Sequence, residues 1–259
     1  MPLEEMVLDW KILKEDSKEM TVKKAGESEG AGQINRQGTG TEVIKVKNIK
    51  VLLTAAPKDL VNRYVEIFRK AGKTLSNLET ESFAIERSLI GSDKSIVMVV
   101  DIGAVVTNIS IFSEGIPLLN RSIDIGGETI TKAIANSLKI DQSRAEQFKR
   151  DFGLSASGGY QESIPKTIEF VISSILNEIK HVINLFRSRE GGELEKIILT
   201  GGSAFLPNLP EYLSNILNLK VHVGDPWARV IYPLDLKPVL DEIAPQMAVA
   251  IGLAMRDII

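Results

Sequence analysis

An apolar strand ends in Asp-Ile-Gly within the stretch Val99-Val100-Asp101-Ile102-Gly103-Ala104-Val105-Val106-Thr107-Asn108, and the chain resumes as a second strand at Ile109. Further on, the apolar run from Lys196 to Thr200 leads into Gly201-Gly202-Ser203. Because glycine has no Cβ, the backbone can turn sharply at such points and bring N–H groups close to an anion. Two segments of this kind, separated by helical sequence, predict a nucleotide held between two loops.

The composition excludes several classes of protein. The 259 residues are 44% hydrophobic and 25% charged, which is ordinary for a globular protein. The net charge of −3 offers no basic face for nucleic acid, and the lack of cysteine excludes disulfides and thiolate metal sites. The two histidines, His181 and His222, are too few and too separated for a zinc site. Neither a membrane-spanning run nor a signal-peptide pattern is visible, so we expect a cytoplasmic protein without direct membrane insertion.

Hydrophobic periodicity predicts alternating strands and helices. Residues 25–41, rich in Gly, Ser, Gln and Thr, predict a mobile loop, and residues 155–159 a flexible link. Pro57 marks the start of the first helix, Asp141 is an N-cap, and the terminal helix is expected to begin near Pro245. The predicted strands are 7–13, 43–54, 95–100, 108–113, 117–125, 196–200 and 221–223. The predicted helices are 58–71, 79–89, 129–138, 142–152, 164–187, 209–217 and 243–258.

Several short motifs follow one another along the chain: Ala55-Ala56-Pro57-Lys58, Glu81-Ser82-Phe83-Ala84-Ile85, Asp124-Ile125-Gly126-Gly127-Glu128-Thr129, Ala145-Glu146-Gln147-Phe148-Lys149 and Ala250-Ile251-Gly252-Leu253-Ala254. In this order they resemble the PilM family of type IV pilus assembly, a branch of the actin-like ATPase superfamily related to the division protein FtsA. The hairpin at Asp101 resembles the second phosphate loop of that superfamily, and Thr200-Gly201-Gly202-Ser203 resembles its adenosine loop. The resemblance implies an α/β fold of the actin-like (ribonuclease H-like) ATPase type.

The resemblance also implies a domain division. Relatives begin with a first phosphate loop, whereas Leu3 to Trp10 resembles a segment well inside the family, so we expect an N-terminally truncated form of the fold. Residues 1–73 would be a small inserted α/β domain, residues 74–94 and 242–259 the remnant of the first actin-like half, and residues 95–241 the second half. The helices of that remnant are expected to leave their apolar stripes partly exposed: Phe83, Ile85, Leu89, Met247, Ile251 and Met255.

The resemblance assigns roles to particular residues. Asp101 would face Mg²⁺ and the phosphates of ATP, Gly103 would let the hairpin approach them, and Thr107 would supply a hydroxyl. Val105 and Val106 offer no side-chain donor, and we therefore expect weak or undetectable ATP binding and negligible hydrolysis. The remaining implied nucleotide contacts are Gly126, Gly127, Glu178, Gly201, Gly202 and Ser203. A plain helix start explains the Gly126-Gly127 pair equally well, and Glu178 can equally be a solvated helix residue.

In function, the resemblance implies a cytoplasmic scaffold that lies at the inner membrane through its partner. That partner would be the N-terminal peptide of a PilN-type inner-membrane protein, with ATP and Mg²⁺ as structural or switching ligands. Self-association into a homo-oligomer is a further possibility. Two alternatives stay open at this point: an FtsA-like division protein, which predicts a basic amphipathic C-terminal helix, and an actin-fold sugar kinase, which needs a catalytic carboxylate in a substrate cleft.

Overall fold

The computed structural model describes residues 2–23, 41–155, 163–190 and 192–256. Within it the chain forms two compact units, residues 1–78 and residues 79–259. The loop predicted at 25–41 and the link predicted at 155–159 fall almost wholly outside the described residues.

The first unit is a long antiparallel ribbon followed by one helix. Strand β1 (Met6–Lys23) pairs with β2 (Thr41–Pro57), and helix α1 spans Lys58–Lys70. The helix begins after Pro57 and is followed by Gly72 at φ +65°, as the sequence predicts. Alternate residues of the ribbon form an exposed apolar face, on which Trp10 pairs with Leu53 and Ile12 pairs with Val51 across the strands.

The second unit is a five-stranded sheet with helices on both faces. The strands lie in the order β5-β4-β3-β6-β7, in which the first three form an antiparallel meander and the last three run parallel. The strands are β3 Val97–Ile102, β4 Thr107–Ser113, β5 Ile116–Ile123, β6 Lys196–Thr200 and β7 Lys220–Val223. The helices are α2 Glu81–Ile85, α3 Gly127–Leu138, α4 Gln142–Phe152, α5 Ser163–Glu190, α6 Leu209–Leu217 and α7 Lys237–Ala254.

The two faces of the sheet carry separate apolar clusters. Successive side chains of a strand point to opposite faces, and in β3 Met98 and Val100 join the larger cluster while Val97 and Val99 join the smaller one. The larger cluster includes the apolar stripe of α5, which the sequence predicts as core, together with residues of α3 and α6. Both faces of β3 are therefore buried, as expected of a central strand.

Helices α2 and α7 lie on the second face of the sheet, and this corrects one expectation. Ile85, Ile251 and Met255 are 5%, 7% and 8% exposed, so the prediction that they stay partly exposed is wrong. Phe83, Leu89 and Met247 are half-buried, in agreement with it. Ile85 packs with Val97, Val99 and other residues of the smaller cluster. The sheet of the second unit itself supplies the apolar surface that these helices cover.

Two helix boundaries also differ from the sequence prediction. Helix α2 ends at Ile85 and continues as a π-helical turn over Glu86–Ile90, where a regular helix to Leu89 is predicted. Helix α7 begins at Lys237, earlier than predicted, because Pro238 suits the first turn of a helix. Pro245 lies inside α7, and its carbonyl oxygen accepts hydrogen bonds from the backbone N–H of Gly201 at 3.1 Å and the hydroxyl of Thr200 at 2.8 Å.

Across the described parts of the chain, every helix is too short or too polar to cross a bilayer.

Candidate functional site

The ends of β3 and β6 meet at one edge of the sheet. Asp101 and Thr200 are partners in the parallel pairing of these strands, and the glycine loops follow immediately after them. Gly201 has φ +84°, and a Cβ at this position would lie 2.3 Å from the Asp101 Oδ1 atom. Only glycine fits there, because a side chain would both strain the backbone and strike the carboxylate. The two segments that the sequence analysis links are therefore in direct contact.

An open cleft of about 320 Å³ lies at this junction. Four of the predicted nucleotide residues line it: Asp101, Gly103, Gly201 and Gly202. A Cβ at Gly202 would meet nothing nearer than Gln246 at 3.9 Å, so this glycine faces open space rather than packed atoms. Pro245, Gln246 and Val249 of α7 also line the cleft. The carboxyl ends of parallel strands are the usual place for a ligand in α/β sheets.

Asp101 also lines a second, smaller pocket of about 180 Å³, which lies under the start of α2. Burial raises the pKa of Asp101 to about 6, and the nearby negative charge of Glu81 adds to the rise. The sequence analysis assigned no role to Glu81, although it lies in one of the motifs quoted there. Asp101 thus lines both the cleft and this second pocket, and Glu81 lines the second pocket.

The N-terminus of α3 is closed by the hairpin that follows β3. The backbone N–H of Gly127 donates to the Gly103 carbonyl at 2.9 Å, and that of Glu128 donates to the Ala104 carbonyl at 2.8 Å. A Cβ at Gly126 would lie 2.6 Å from the Ala104 oxygen. These contacts favour the structural interpretation of the Gly126-Gly127 pair, because the helix N–H groups already have acceptors and the glycines let the hairpin approach.

Ser203 and Gly127 are neighbours beside a buried lysine. A Cβ at Gly127 would lie 2.6 Å from the Ser203 hydroxyl and 3.3 Å from Lys149 Nζ. Lys149 is 8% exposed and forms an ion pair with Glu146 at 2.6 Å. Burial acts to raise the pKa of Glu146, but hydrogen bonds from Lys149, Thr131 and Arg150 outweigh it and lower that pKa to about 2. Glu146 and Lys149 belong to a motif of the family resemblance that carries no site assignment.

The structure does not bring Thr107 and Glu178 to the cleft. Thr107 is fully buried, and its hydroxyl donates to the Ile125 carbonyl at 2.6 Å. Glu178 in α5 pairs with Arg121 of β5 at 2.9 Å, and β5 is the edge strand, two strands away from β3. The resemblance implies that both side chains contact the ligand, whereas in the structure each is bonded to another part of the protein.

The residues present suit a hydrated divalent cation with a phosphate group. Within the described residues, no three histidine or carboxylate side chains converge on one point. Magnesium commonly binds through one or two carboxylates, several waters and the phosphates of the substrate. Asp101 and Glu81 could supply those carboxylates, and the bare backbone of Gly201 and Gly202 leaves room for the nucleotide.

Comparison with solved structures gives the fold. A chain from the "PilM-PilN type IV pilus biogenesis complex" is similar over 99% of this chain and 68% of its own length, with a TM-score of 0.73 and 26% identity. MreB5 of Spiroplasma citri bound to ADP matches over 78% of this chain and 65% of its own, with a TM-score of 0.59 and 17% identity. EutJ from Carboxydothermus hydrogenoformans matches over 73% and 59%, with a TM-score of 0.53 and 24% identity. The fold is therefore actin-like, and the likeness to the last two proteins shows the fold alone.

Comparison with curated proteins and family models gives the family. Cell division protein FtsA of Agrobacterium fabrum is 28% identical over 176 residues, which cover 60% of this chain and 38% of that protein. FtsA of Bacillus subtilis is 23% identical over 198 residues, covering 67% and 44%. The chain thus spans less than half the length of these two relatives. The model of the type IV pilus assembly protein PilM matches residues 35–258, and the chain belongs to this PilM family.

Proposed function

We propose that this chain is a cytoplasmic, actin-like scaffold of type IV pilus assembly with a weak Mg²⁺–nucleotide site between β3 and β6. The family match supports the role in pilus assembly. The single observation that carries the nucleotide site is the contact of Gly201 with Asp101, which joins two glycine loops at the carboxyl edge of the sheet. A bound nucleotide would add phosphate oxygens to the cation's surroundings. Asp101 and Glu81 would hold the hydrated cation, and Gly103, Gly201 and Gly202 would pass beneath the nucleotide.

The structure also supports the expectation that this site is weak. The N–H groups at the start of α3 donate to the hairpin carbonyls, and the Thr107 hydroxyl donates to Ile125. Backbone N–H groups are among the strongest phosphate ligands that a helix start can offer. Because these groups are engaged, few donors remain for the phosphates. The nucleotide would therefore act as a structural or switching ligand, and hydrolysis would be negligible.

Isothermal titration with Mg-ATP and Mg-ADP tests the nucleotide part. We expect weak, saturable binding that Asp101→Asn abolishes, because asparagine keeps the shape of the side chain and removes its charge. Val105→Ala is the matched control, since Val105 lies in the same hairpin with an exposed side chain. Tight binding by the wild-type chain, or binding that Asp101→Asn leaves unchanged, would contradict the proposed site.

The proposed partner is the N-terminal peptide of a PilN-type inner-membrane protein. A related solved chain belongs to a PilM–PilN complex. The first unit of this chain offers an exposed apolar ribbon face that suits an apolar peptide, with Trp10 and Leu53 63% and 61% exposed. Through this partner the scaffold would lie at the inner membrane and connect the pilus platform to cytoplasmic machinery.

Fluorescence anisotropy with a labelled PilN N-terminal peptide tests the partner. We expect weak binding, because ordering a flexible peptide costs free energy that the contacts must exceed. Trp10→Ser should weaken binding further, whereas Phe170→Ser, an exposed aromatic in the second unit, should not. Unchanged affinity in Trp10→Ser would show that the ribbon face is not the peptide site.

A further inference from the structure

The start of α2 lacks the usual side-chain cap. Thr80 is the N-cap residue, and its side chain makes no capping hydrogen bond. The helix is five residues long before it passes into the π-helical turn. A short helix without a cap gains little stability from its own hydrogen bonds. Its first turn therefore depends on contacts with the rest of the unit.

Such contacts come from two cross-strand pairs of polar residues on one face of the sheet, which we call rungs. Asn108 and Ser110 of β4 lie opposite Ser122 and Asn120 of β5, respectively, in the antiparallel register. In the first rung, the Ser122 hydroxyl donates to Asn108 Oδ1 at 2.6 Å. In the second, the Ser110 hydroxyl donates to Asn120 Oδ1 at 3.1 Å. Each serine orients an asparagine amide, whose NH₂ group is left to donate elsewhere.

Each rung ends on a different residue of the first turn of α2. Asn108 Nδ2 donates to Glu81 Oε2 at 3.4 Å, and Asn120 Nδ2 donates to the Ser82 hydroxyl at 3.2 Å. Ser82 is 7% exposed, so the second contact lies at a well-covered point. Two adjacent helix residues are thus hydrogen-bonded to two cross-strand pairs that succeed each other on the same face of the sheet.

We propose that Asn108 and Asn120 are positioning residues that hold the first turn of α2 on the sheet, so that Glu81 and Asp101 face the same pocket. The functional meaning of this arrangement rests on the proposed function, in which both carboxylates serve the cation. Asn108, Ser110 and Asn120 of the rungs line this pocket together with Glu81 and Asp101, whereas Ser122 does not. In this proposal the rungs act by holding Glu81 in place.

Hydrogen exchange of the nucleotide-free full chain tests the anchoring. Asn120→Leu keeps the approximate size of the side chain and removes the amide. The lost hydrogen bond should speed exchange of the hydrogen-bonded amides of α2, such as that of Phe83, by roughly five- to tenfold, with little change in α3. Arg121→Leu is the matched control, because Arg121 is the next residue of β5 and contacts Glu178 of α5 instead. Equal exchange of α2 in Asn120→Leu and Arg121→Leu would overturn the proposal.

The NMR resonance of the Asn108 side chain distinguishes a role in positioning Glu81 from a general loosening of α2. The side-chain NH₂ resonance of Asn108 should move in Glu81→Gln, because that amide donates to the Glu81 carboxylate. It should move in the same direction in Asn120→Leu if losing the second rung displaces Glu81. An Asn108 resonance that stays in place in Asn120→Leu would show that the rungs do not position Glu81.

A double-mutant cycle tests the contact of Asn120 with Ser82 by also changing the residue on the helix. Ser82→Ala should also speed exchange, because it removes the hydrogen bond from Asn120. The combined variant should be less than additive, because each single substitution already removes that bond, although Asn120→Leu removes the bond from Ser110 as well. Additive effects would contradict the assigned contact. All these measurements are made without nucleotide. A failure of Mg-ATP to bind would therefore remove the nucleotide part of the proposed function while leaving the positioning result intact.

Discussion

The backbone of Gly252 in α7 lies directly against the carbonyl of Ala84 in α2. A Cβ at position 252 would be 1.8 Å from the Ala84 oxygen and 2.4 Å from its carbonyl carbon. Gly252 lies inside α7, and glycine inside a helix costs about 1 kcal/mol relative to alanine. Close helix contact explains why glycine occupies this position in spite of that cost.

Gly252→Ala should therefore destabilise the protein although it raises helix propensity. We expect a loss of about 1–3 kcal/mol in the free energy of unfolding, because α2 and α7 must move apart. Urea denaturation gives the measurement. Ala250→Gly, at an exposed position of the same helix, reports propensity alone and should cost about 1 kcal/mol. A Gly252→Ala variant as stable as the wild type would mean that the helices do not touch as described.

The adjacent glycines 201 and 202 should respond differently to alanine. Gly201→Ala strains a residue at φ +84° and places a Cβ against Asp101, whereas Gly202→Ala meets open space. Each kcal/mol of destabilisation lowers the melting temperature by roughly 2–4 °C in a chain of this size. We expect Gly201→Ala to cost several kcal/mol and to lower the melting temperature accordingly, and Gly202→Ala to leave the melting temperature nearly unchanged. Differential scanning calorimetry measures both melting temperatures. Equal effects of the two substitutions would contradict the described loop geometry.

The ion pair of Asp93 and Lys196 should make stability depend on acid pH. Hydrogen bonds from Lys196 and from the backbone of Ser95 lower the pKa of Asp93 from 3.8 to about 2. Because the folded-state pKa is the lower one, this contribution is present above pH 4 and is lost as the pH falls toward 2. Asp93→Asn should lower the melting temperature at pH 7, and the difference from the wild type should shrink below pH 4. If the difference in melting temperature between Asp93→Asn and the wild type stays constant as the pH falls below 4, the ionised Asp93 carboxylate is not its cause.

The exposed ribbon face of the first unit should promote self-association. The cross-strand pairs of Trp10 with Leu53 and Ile12 with Val51 form one apolar face of the ribbon. We expect concentration-dependent larger species in size-exclusion chromatography coupled to light scattering. The double substitution Trp10→Ser and Leu53→Ser should reduce them, while Phe170→Ser should not. A monomer at every concentration would contradict this prediction and the possible homo-oligomer.

The sequence by itself determined the elements whose signals are local. Asp141 caps α4 through a 2.9 Å hydrogen bond from the backbone N–H of Arg144, and Pro57 and Gly72 bound α1, all as predicted. The two glycine loops were also identified from sequence, because an apolar strand followed by glycine is visible within ten residues. Such features depend on neighbours along the chain, and the residues that form them are the residues that signal them.

Only the tertiary structure decided which side chains meet at the site. Glu81 and Asp101 are twenty positions apart in sequence, and they share a pocket only because α2 packs on the second face of the sheet. The same packing buries Ile85, Ile251 and Met255, which the sequence analysis expected to be exposed. Thr107 and Glu178 have suitable chemistry for a nucleotide site, yet their hydrogen bonds go to Ile125 and Arg121. A residue's chemistry is fixed by its identity, whereas its partners depend on long-range packing that local patterns do not encode.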